Sequence, residues 1–378
     1  MKALKISVAS LLVCLLAGVM PRFASAQGPE PQSTETVAKP KKKEAPAEAP
    51  AEEPKIPSKF TKKDKDVPEG LPTFKSDVTT VQLDVAVLDN KGNFIPNIPK
   101  GNFRVLEDNV PQQVSSFSTN ADAPMTIAMV VEFNAQFQQY WSAGWYETLV
   151  ATYGFVQTLK PDDYLAVVAY DLKTEILSDF TTDRQKTQEA MQRLRIPGFS
   201  ESNMYDALVD TAQRMSSIEG RKAILLVSTG RDTFSKLTYD KARKALQEAG
   251  VPIYALSILQ ALRIMMDPYM GPMQRMDFLQ ADNQLNTFCR ETGGQAFFPR
   301  FLAEYPNIYQ NISAALRNQY SIAYHPANQA KDGSYRKLKV ELVDPANGNP
   351  LRITDPKGKP IKYSIVAKAG YTAPHEVE

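Results

Sequence analysis

Histidine, cysteine and tryptophan are scarce in this chain, two of each among 378 residues. Cys14 lies in an N-terminal apolar run that reads as a removable leader, so Cys289 alone remains and no intramolecular disulfide can form. The expectation for that thiol is a buried, small-hydrophobe role. His325 and His375 stand apart from any partner motif, and a lone imidazole in a turn lacks the second group that would make it a general base. A G-x-S-x-G elbow, a phosphate loop and a dinucleotide fingerprint are all missing. Asp162-Asp163 resembles a carboxylate pair, but it sits between Pro161 and the start of an apolar strand, at the end of a sheet opposite to its crevice, and reads as a turn. These absences remove the usual constellations for bond chemistry, and the chain is expected not to be an enzyme. Charge of one sign is lacking as well, with 44 Lys and Arg against 42 Asp and Glu. A near-neutral chain has no basic field for nucleic acid, and no such partner is expected.

What is present begins with MKALKISVASLLVCLLAGVMPRFASA, which joins Lys2 and Lys5 to an apolar run at residues 6–20 and to Ala24-Ser25-Ala26. This is the pattern of a secretory signal (1–26) cleaved after Ala26, too short and wrongly flanked for a membrane span. The expectation is an exported protein, periplasmic or extracellular. Residues 27–73, rich in Pro, Lys, Glu and Ala, hold almost no apolar side chain large enough to anchor a core and read as a disordered tether.

Residues 74–122 alternate apolar and polar, with Val81, Leu83, Val85 and Val87 on one face and turn signals at Asn90-Lys91-Gly92 and Asp108-Asn109. Too few strands lie here to close a core, and residues 319–373 supply similar ones around Asp332-Gly333 and Asn347-Gly348. One β-sandwich built from both flanks is expected, with residues 123–318 inserted. Within the insertion, uncharged runs at 125–131, 164–170 and 223–229 and a further strand at 252–258 take turns with helical stripes, one of which, Met204, Leu208, Met215 and Ile218, is expected to be capped by Ser202 or Asn203. The fold class is therefore α/β: a doubly wound, mostly parallel sheet inserted in an all-β sandwich. The first run opens into Glu132, Asn134 and Gln136, at the strand end where open α/β sheets place their crevice.

The phrases VQLDVAVLDNKGNFIPNI, GNFRVLEDNVPQQVSSFS, NMYDAL, ILLVSTGRDTFS, QYSIAYHP and AKAGYTAP, in this order over residues 78–373, carry a resemblance. The inserted part resembles a von Willebrand factor type A domain, and the whole resembles secreted bacterial proteins, common in Acidobacteria, that embed one between β-rich flanks. The resemblance implies recognition of a protein or matrix partner through the upper edge of the sheet, at a metal-ion-dependent adhesion site built as Asp-x-Ser-x-Ser, a Thr and a second Asp. The positions that match are Glu132, Asn134, Gln136, Ser202 and Thr229. Asn134 and Gln136 offer only neutral amide oxygens and Thr229 replaces the second acid, and Mg²⁺ is held poorly without carboxylates, so no tight metal and no cofactor are expected. Asp232 could compensate in part, and the alternative is a metal-dependent adhesion module with a weak divalent site on Glu132 and Asp232.

Aromatic and thioether residues crowd the same edge. Phe133, Phe137, Tyr140, Trp141 and Trp145 follow the central strand, and Met265, Met266, Met270, Met273 and Met276 lie in a loop after the fourth strand. An apolar lid over the old metal position is expected, adaptable as Met-rich binding faces are. Packing of these residues on one another as a satellite core is the other reading. A Cu(I) site in the Met run is a weaker alternative, since no His or Cys lies within it.

Overall fold

Three uncharged runs, 127–131, 165–169 and 223–227, can bury both faces and still satisfy their backbones only as neighbours in the middle of a sheet. That is where they lie. The computed structural model describes residues 80–375 except 91, 120–122, 134–141, 195–200, 259 and 356, with the backbone alone at 142–145 and 148. The expected leader and tether fall outside the described residues, which belong to one compact unit.

The first flank holds β1 (Val81–Asp89), β2 (Phe103–Glu107), β3 (Val110–Gln112) and β4 (Val114–Thr119). The α/β part follows as β5 (Met125–Glu132), α1 (Ser142–Val156), β6 (Tyr164–Tyr170), β7 (Thr174–Thr181), α2 (Arg184–Arg193) and α3 (Met204–Ser216). It continues through β8 (Arg221–Ser228), α4 (Tyr239–Ala249), β9 (Ile253–Ser257), α5 (Gln260–Met266), α6 (Pro272–Thr292), β10 (Ala296–Phe297) and α7 (Tyr305–Arg317). The second flank holds β11 (Tyr320–Tyr324), β12 (Tyr335–Leu342), β13 (Ile353–Thr354), β14 (Pro360–Ile361), β15 (Tyr363–Val366) and β16 (Gly370–Thr372).

The six-stranded sheet runs β10-β9-β8-β5-β6-β7, parallel throughout except β7, which pairs antiparallel with β6. Ile127, Met129 and Val131 meet Phe155, Ile308 and Ile312 on one face. Ala128 and Val130 meet Leu208, Leu246 and Phe288 on the other. Helices on both faces explain why the inner strands carry no polar alternation.

Each sheet of the sandwich mixes strands from both flanks, β15-β1-β11-β4 facing β16-β12-β2-β3, so the α/β part is an insertion. Leu83, Val85, Phe103, Val105, Ile322 and Leu338 fill the space between. Asp108 and Asn109 both take left-handed backbone, φ 48° and 67°, as the two-residue turn joining β2 to β3 requires.

The structure corrects the sequence reading at several points. Residues 184–193 form α2, which has no apolar stripe; Thr187, Ala190 and Met191 are its buried side, and Asp183 caps it through Gln185 N and Lys186 N. The Met-rich loop is a helical arm, α5 and α6 joined by a 3-10 turn at Asp267–Tyr269, with Pro272 opening α6 where its missing N–H costs nothing. Neither Ser202 nor Asn203 caps α3 with its side chain; the Tyr205 N–H donates instead to Asp232 Oδ1 at 3.1 Å. Asp163 is more than a turn residue. Fully buried, it accepts from Met125 N at 3.0 Å and Lys160 N at 2.7 Å, and pairs with Arg317 at 2.5 Å.

Candidate binding edge

Parallel register sets Val131 beside Val227 and Glu132 beside Tyr170, so the ends of β5, β6 and β8 bring Glu132, Tyr170 and Ser228 together. Glu132 is 1% exposed. Its Oε2 accepts from Thr229 N at 2.6 Å, Ser228 Oγ at 2.8 Å and Thr229 Oγ1 at 2.9 Å. Ser228 Oγ in turn accepts from the Tyr170 hydroxyl and from Gly230 N, each at 2.8 Å. Such a chain polarises link by link in a dry interior. Burial pushes the Glu132 carboxyl above the ordinary carboxylate range; the Thr229 and Ser228 donors and the nearby charge of Arg231 oppose that push. Burial, and then the Glu132 charge, hold the Tyr170 phenol well above its usual value.

Among the described residues this donor set does not fit a tightly held Mg²⁺. The position of the second acid, Thr229, gives hydrogens to Glu132 rather than lone pairs to an ion, and a guanidinium already contributes positive charge nearby.

The raised carboxyl has a consequence for stability. Between the unfolded value near 4.5 and the higher folded value, the folded state holds the Glu132 proton more tightly, so stability falls as pH rises through that window and levels off above it. Glu132→Gln keeps an acceptor for the Thr229 and Ser228 donors and removes the titration. The pH dependence of the urea midpoint is therefore expected to flatten in the variant relative to the parent, and parallel profiles would contradict this origin.

Asp232 and Ser202 flank the carboxylate in supporting roles. Ser202 is buried; its hydroxyl donates to Arg231 O at 2.9 Å, and its carbonyl accepts from Thr233 N at 2.8 Å and Phe234 N at 2.9 Å. Asp232 Oδ1 accepts from Tyr205 N at 3.1 Å and from the Ser235 hydroxyl at 2.6 Å, and its Oδ2 from Ser235 N at 3.3 Å, so the carboxylate turns to the start of α3. Burial raises its carboxyl too, against those hydrogen bonds. Asp206 ties down the same loop by accepting from Lys236 N at 2.9 Å and Leu237 N at 3.0 Å. Asn134, Gln136, Phe137, Tyr140 and Trp141 lie outside the described residues, as does the Trp145 side chain.

The exposed apolar side chains are concentrated at this end of the molecule. Apart from Val110, Ile176 and Tyr335, every large apolar side chain described as exposed lies on a segment leaving the sheet at the C-terminal end of β5, β8, β9 or β10. Phe234 after β8 is 60% exposed and Met273 on the arm 84%. Met265, Met266, Tyr269 and Met276 are exposed with them, Met270 is half-buried, and Phe301 and Leu302 follow β10. These thioethers do not form a satellite core of their own. Sequence reasoning missed Tyr146, Phe234, Phe301 and Leu302; their only signal is an apolar residue in a segment that follows a strand's C-terminal end.

The arm adjoins the rim. The Phe278 ring lies 5.9 Å from the Arg231 guanidinium and 5.1 Å from that of Arg263. Arg263 pairs with Asp282 at 2.5 Å, which fixes α5 against α6. Gly230, at φ 79°, lets the loop after β8 approach α6 so closely that a Cβ there would meet Ala281 O at 2.8 Å.

No protein-family model and no curated protein matches the sequence. Among solved structures, the chain is similar to proximal thread matrix protein 1 of the mussel byssus at 12% identity, over 56% of this chain and 51% of that one, with a TM-score of 0.40. It is similar to a von Willebrand factor type A protein of Catenulispora acidiphila at 12% identity, over 78% and 75% of the two chains, with a TM-score of 0.39. The von Willebrand factor domain of the type V pili tip protein Mfa5 of Porphyromonas gingivalis matches at 15% identity, over 53% of this chain and 97% of that one, with a TM-score of 0.39. The match thus spans about half the length of the mussel protein, 51%. At such values the fold assignment rests on the strand order itself: a parallel sheet with one antiparallel edge strand and helices on both faces, the von Willebrand factor type A-like arrangement.

Proposed function

We propose that the chain is an exported, non-enzymatic binding module that holds another protein or a matrix component through the apolar rim at the C-terminal edge of its parallel sheet, without a tightly bound divalent ion. The observation carrying this reading is the concentration of exposed Phe, Tyr, Met and Leu side chains on segments leaving one end of the sheet. Isolated exposed apolar residues are ordinary, whereas their collection at a crevice marks a contact surface. The Glu132 network beneath supports the other half: a carboxylate already satisfied by Thr229 and Ser228 acts as a rigid floor rather than a ligand. The leader-like first 26 residues support export, and no described helix is long and apolar enough to cross a membrane.

The test replaces Met265, Met266, Met273 and Met276 with Ser. These side chains are exposed, so each substitution should change stability by less than about 0.5 kcal/mol. Retention of envelope or matrix proteins on the immobilised chain is expected to drop at least about tenfold, which corresponds to the loss of 1.4 kcal/mol or more from the contact. Retention unchanged by the four substitutions would overturn the surface. Addition of Mg²⁺, Mn²⁺ or Ca²⁺ is expected to leave the melting temperature of the parent where it was; a rise with the logarithm of ion concentration would instead establish a metal-dependent module.

A further inference from the structure

A cleft of about 610 Å³ opens away from that rim, between the outer face of the β2–β12 pair and helices α4 and α6. Its size falls within the range of roughly 300–1,000 Å³ typical of small-molecule sites, and such sites favour junctions of this kind. One wall carries a prepared guanidinium. Glu291, 7% exposed, accepts from Arg243 Nε at 2.6 Å and Nη2 at 2.5 Å, and from Gln247 Nε2 at 2.8 Å. That bidentate grip fixes the plane of the Arg243 side chain and leaves Nη1 with no protein acceptor among the described residues.

The facing wall is β12, whose outward positions are Tyr335, Lys337 and Lys339. Lys339 is paired with Glu341 at 2.7 Å, while the exposed Lys337 ammonium has no acidic partner among the described residues. The Tyr335 ring rests on Gly370, where a Cβ would fall 2.4 Å from the phenol oxygen; the bare glycine makes the room. The backbone of this wall is already committed. Asp108 N donates to Lys337 O at 2.9 Å, Leu338 N to Ala369 O at 2.8 Å, and Ala369 N to Glu291 O at 3.2 Å. An extended peptide therefore finds no strand edge here to lengthen, and recognition must come from side chains.

We propose that this cleft binds an acidic sugar. Its carboxylate sits between Arg243 Nη1 and the Lys337 ammonium, its ring lies against Tyr335, and its hydroxyls meet the amide oxygen of Gln247, whose Nε2 is held by Glu291, and the amide of Asn109. The Lys337 ammonium, without an acidic partner among the described residues, and the Nη1 that Glu291 leaves open on Arg243 favour a carboxylate, and an aromatic ring beside side-chain amides suits a polyhydroxylated ring better than an aliphatic acid.

Calorimetric titration of the full chain with trigalacturonate tests this, with galactotriose and a glutamate-rich peptide as parallel arms. Saturable binding of trigalacturonate that weakens with salt is expected, together with no binding of galactotriose. Lys337→Gln and Tyr335→Ser should each lower the affinity about tenfold, the weight of one charge-assisted or stacking contact. Melting curves of the variants matching the parent would exclude misfolding as the cause. The inference fails if trigalacturonate gives no heat, if galactotriose binds as well, if the peptide binds in place of the sugar, or if both folded variants retain full affinity.

Discussion

Replacing Asp163 with alanine is expected to lower stability by about 3–5 kcal/mol, the cost of leaving one member of a buried ion pair without its counter-charge. Arg317, 13% exposed at its side chain, would lose the carboxylate 2.5 Å away, and the N–H groups of Met125 and Lys160 would lose their acceptor at the same stroke. Three segments distant in sequence meet at that carboxylate: the start of β5, the turn before β6 and the end of α7. The loss should therefore appear as a lower urea midpoint with an unchanged slope, a single cooperative unit made weaker. The double variant Asp163→Leu with Arg317→Met is expected to recover part of the loss, because an apolar pair leaves no charge behind. Asp163 lies at the N-terminal end of the sheet, opposite the proposed rim, so partner retention should persist in the folded fraction. A single-variant loss below about 1 kcal/mol, the range of exposed pairs, would show that the Asp163–Arg317 contact is solvated and contributes little.

Nothing in one dimension announces that contact. Asp163 and Arg317 stand far apart in the sequence, and Asp162-Asp163 after a proline carries the composition of a turn. What could be read was whatever burial writes into composition. The runs that became β5, β6 and β8 lie between two layers of helices, so neither of their faces tolerated charge. The flanks face a core on one side only and therefore alternate, as Leu83, Val85 and Val87 do. Helix α2 escaped because its buried side is Thr187, Ala190 and Met191, too small a stripe to raise a 3.6-residue period. The Met-rich arm reads as a loop because Asp267-Pro268 and Gly271-Pro272 look like breakers; they do break, but between two helices.

The candidate edge divides along the same line. Strand ends are visible in sequence, and they located Glu132 and Thr229. That the two bond to each other depends on register, which is a relation between strands, and so the participation of Tyr170 and Ser228 was missed although each closes its own apolar run. Helix capping misled for a similar reason: Ser202 and Asn203 are good local candidates, but Asp232 reaches the Tyr205 N–H from another loop. Exposure is the least readable property of all, since Phe234 and Phe288 are the same residue type, one on the rim and the other in the core.

Thr229→Asp is expected to turn this edge from cation-indifferent to cation-dependent. The parent side chain donates its hydroxyl to both oxygens of Glu132, at 3.1 and 2.9 Å, while its N–H donates at 2.6 Å. Aspartate keeps the N–H but exchanges the hydroxyl for a second carboxylate beside the first, where like charges in a dry site cannot both ionise without cost. Without added ions the variant should lose roughly 3–5 kcal/mol at neutral pH, the scale of an uncompensated buried charge, and regain part of it in acid as the pair takes up a proton. Mg²⁺ or Mn²⁺ supplies the missing positive charge between two hard oxygen ligands, and at one hundred times the dissociation constant an ion bound only by the folded state restores about 2.7 kcal/mol. The melting temperature of the variant should climb with the logarithm of ion concentration, while that of the parent stays level. Were the parent to climb as well, Glu132 would already share an ion in solution, and its contacts with Thr229 and Ser228 would describe a state that the cation displaces. Were neither to respond, the hydroxyl at position 229 would not be what closes the site, and the cause would have to be sought in Arg231, whose charge already opposes the effect of burial on the same carboxylate.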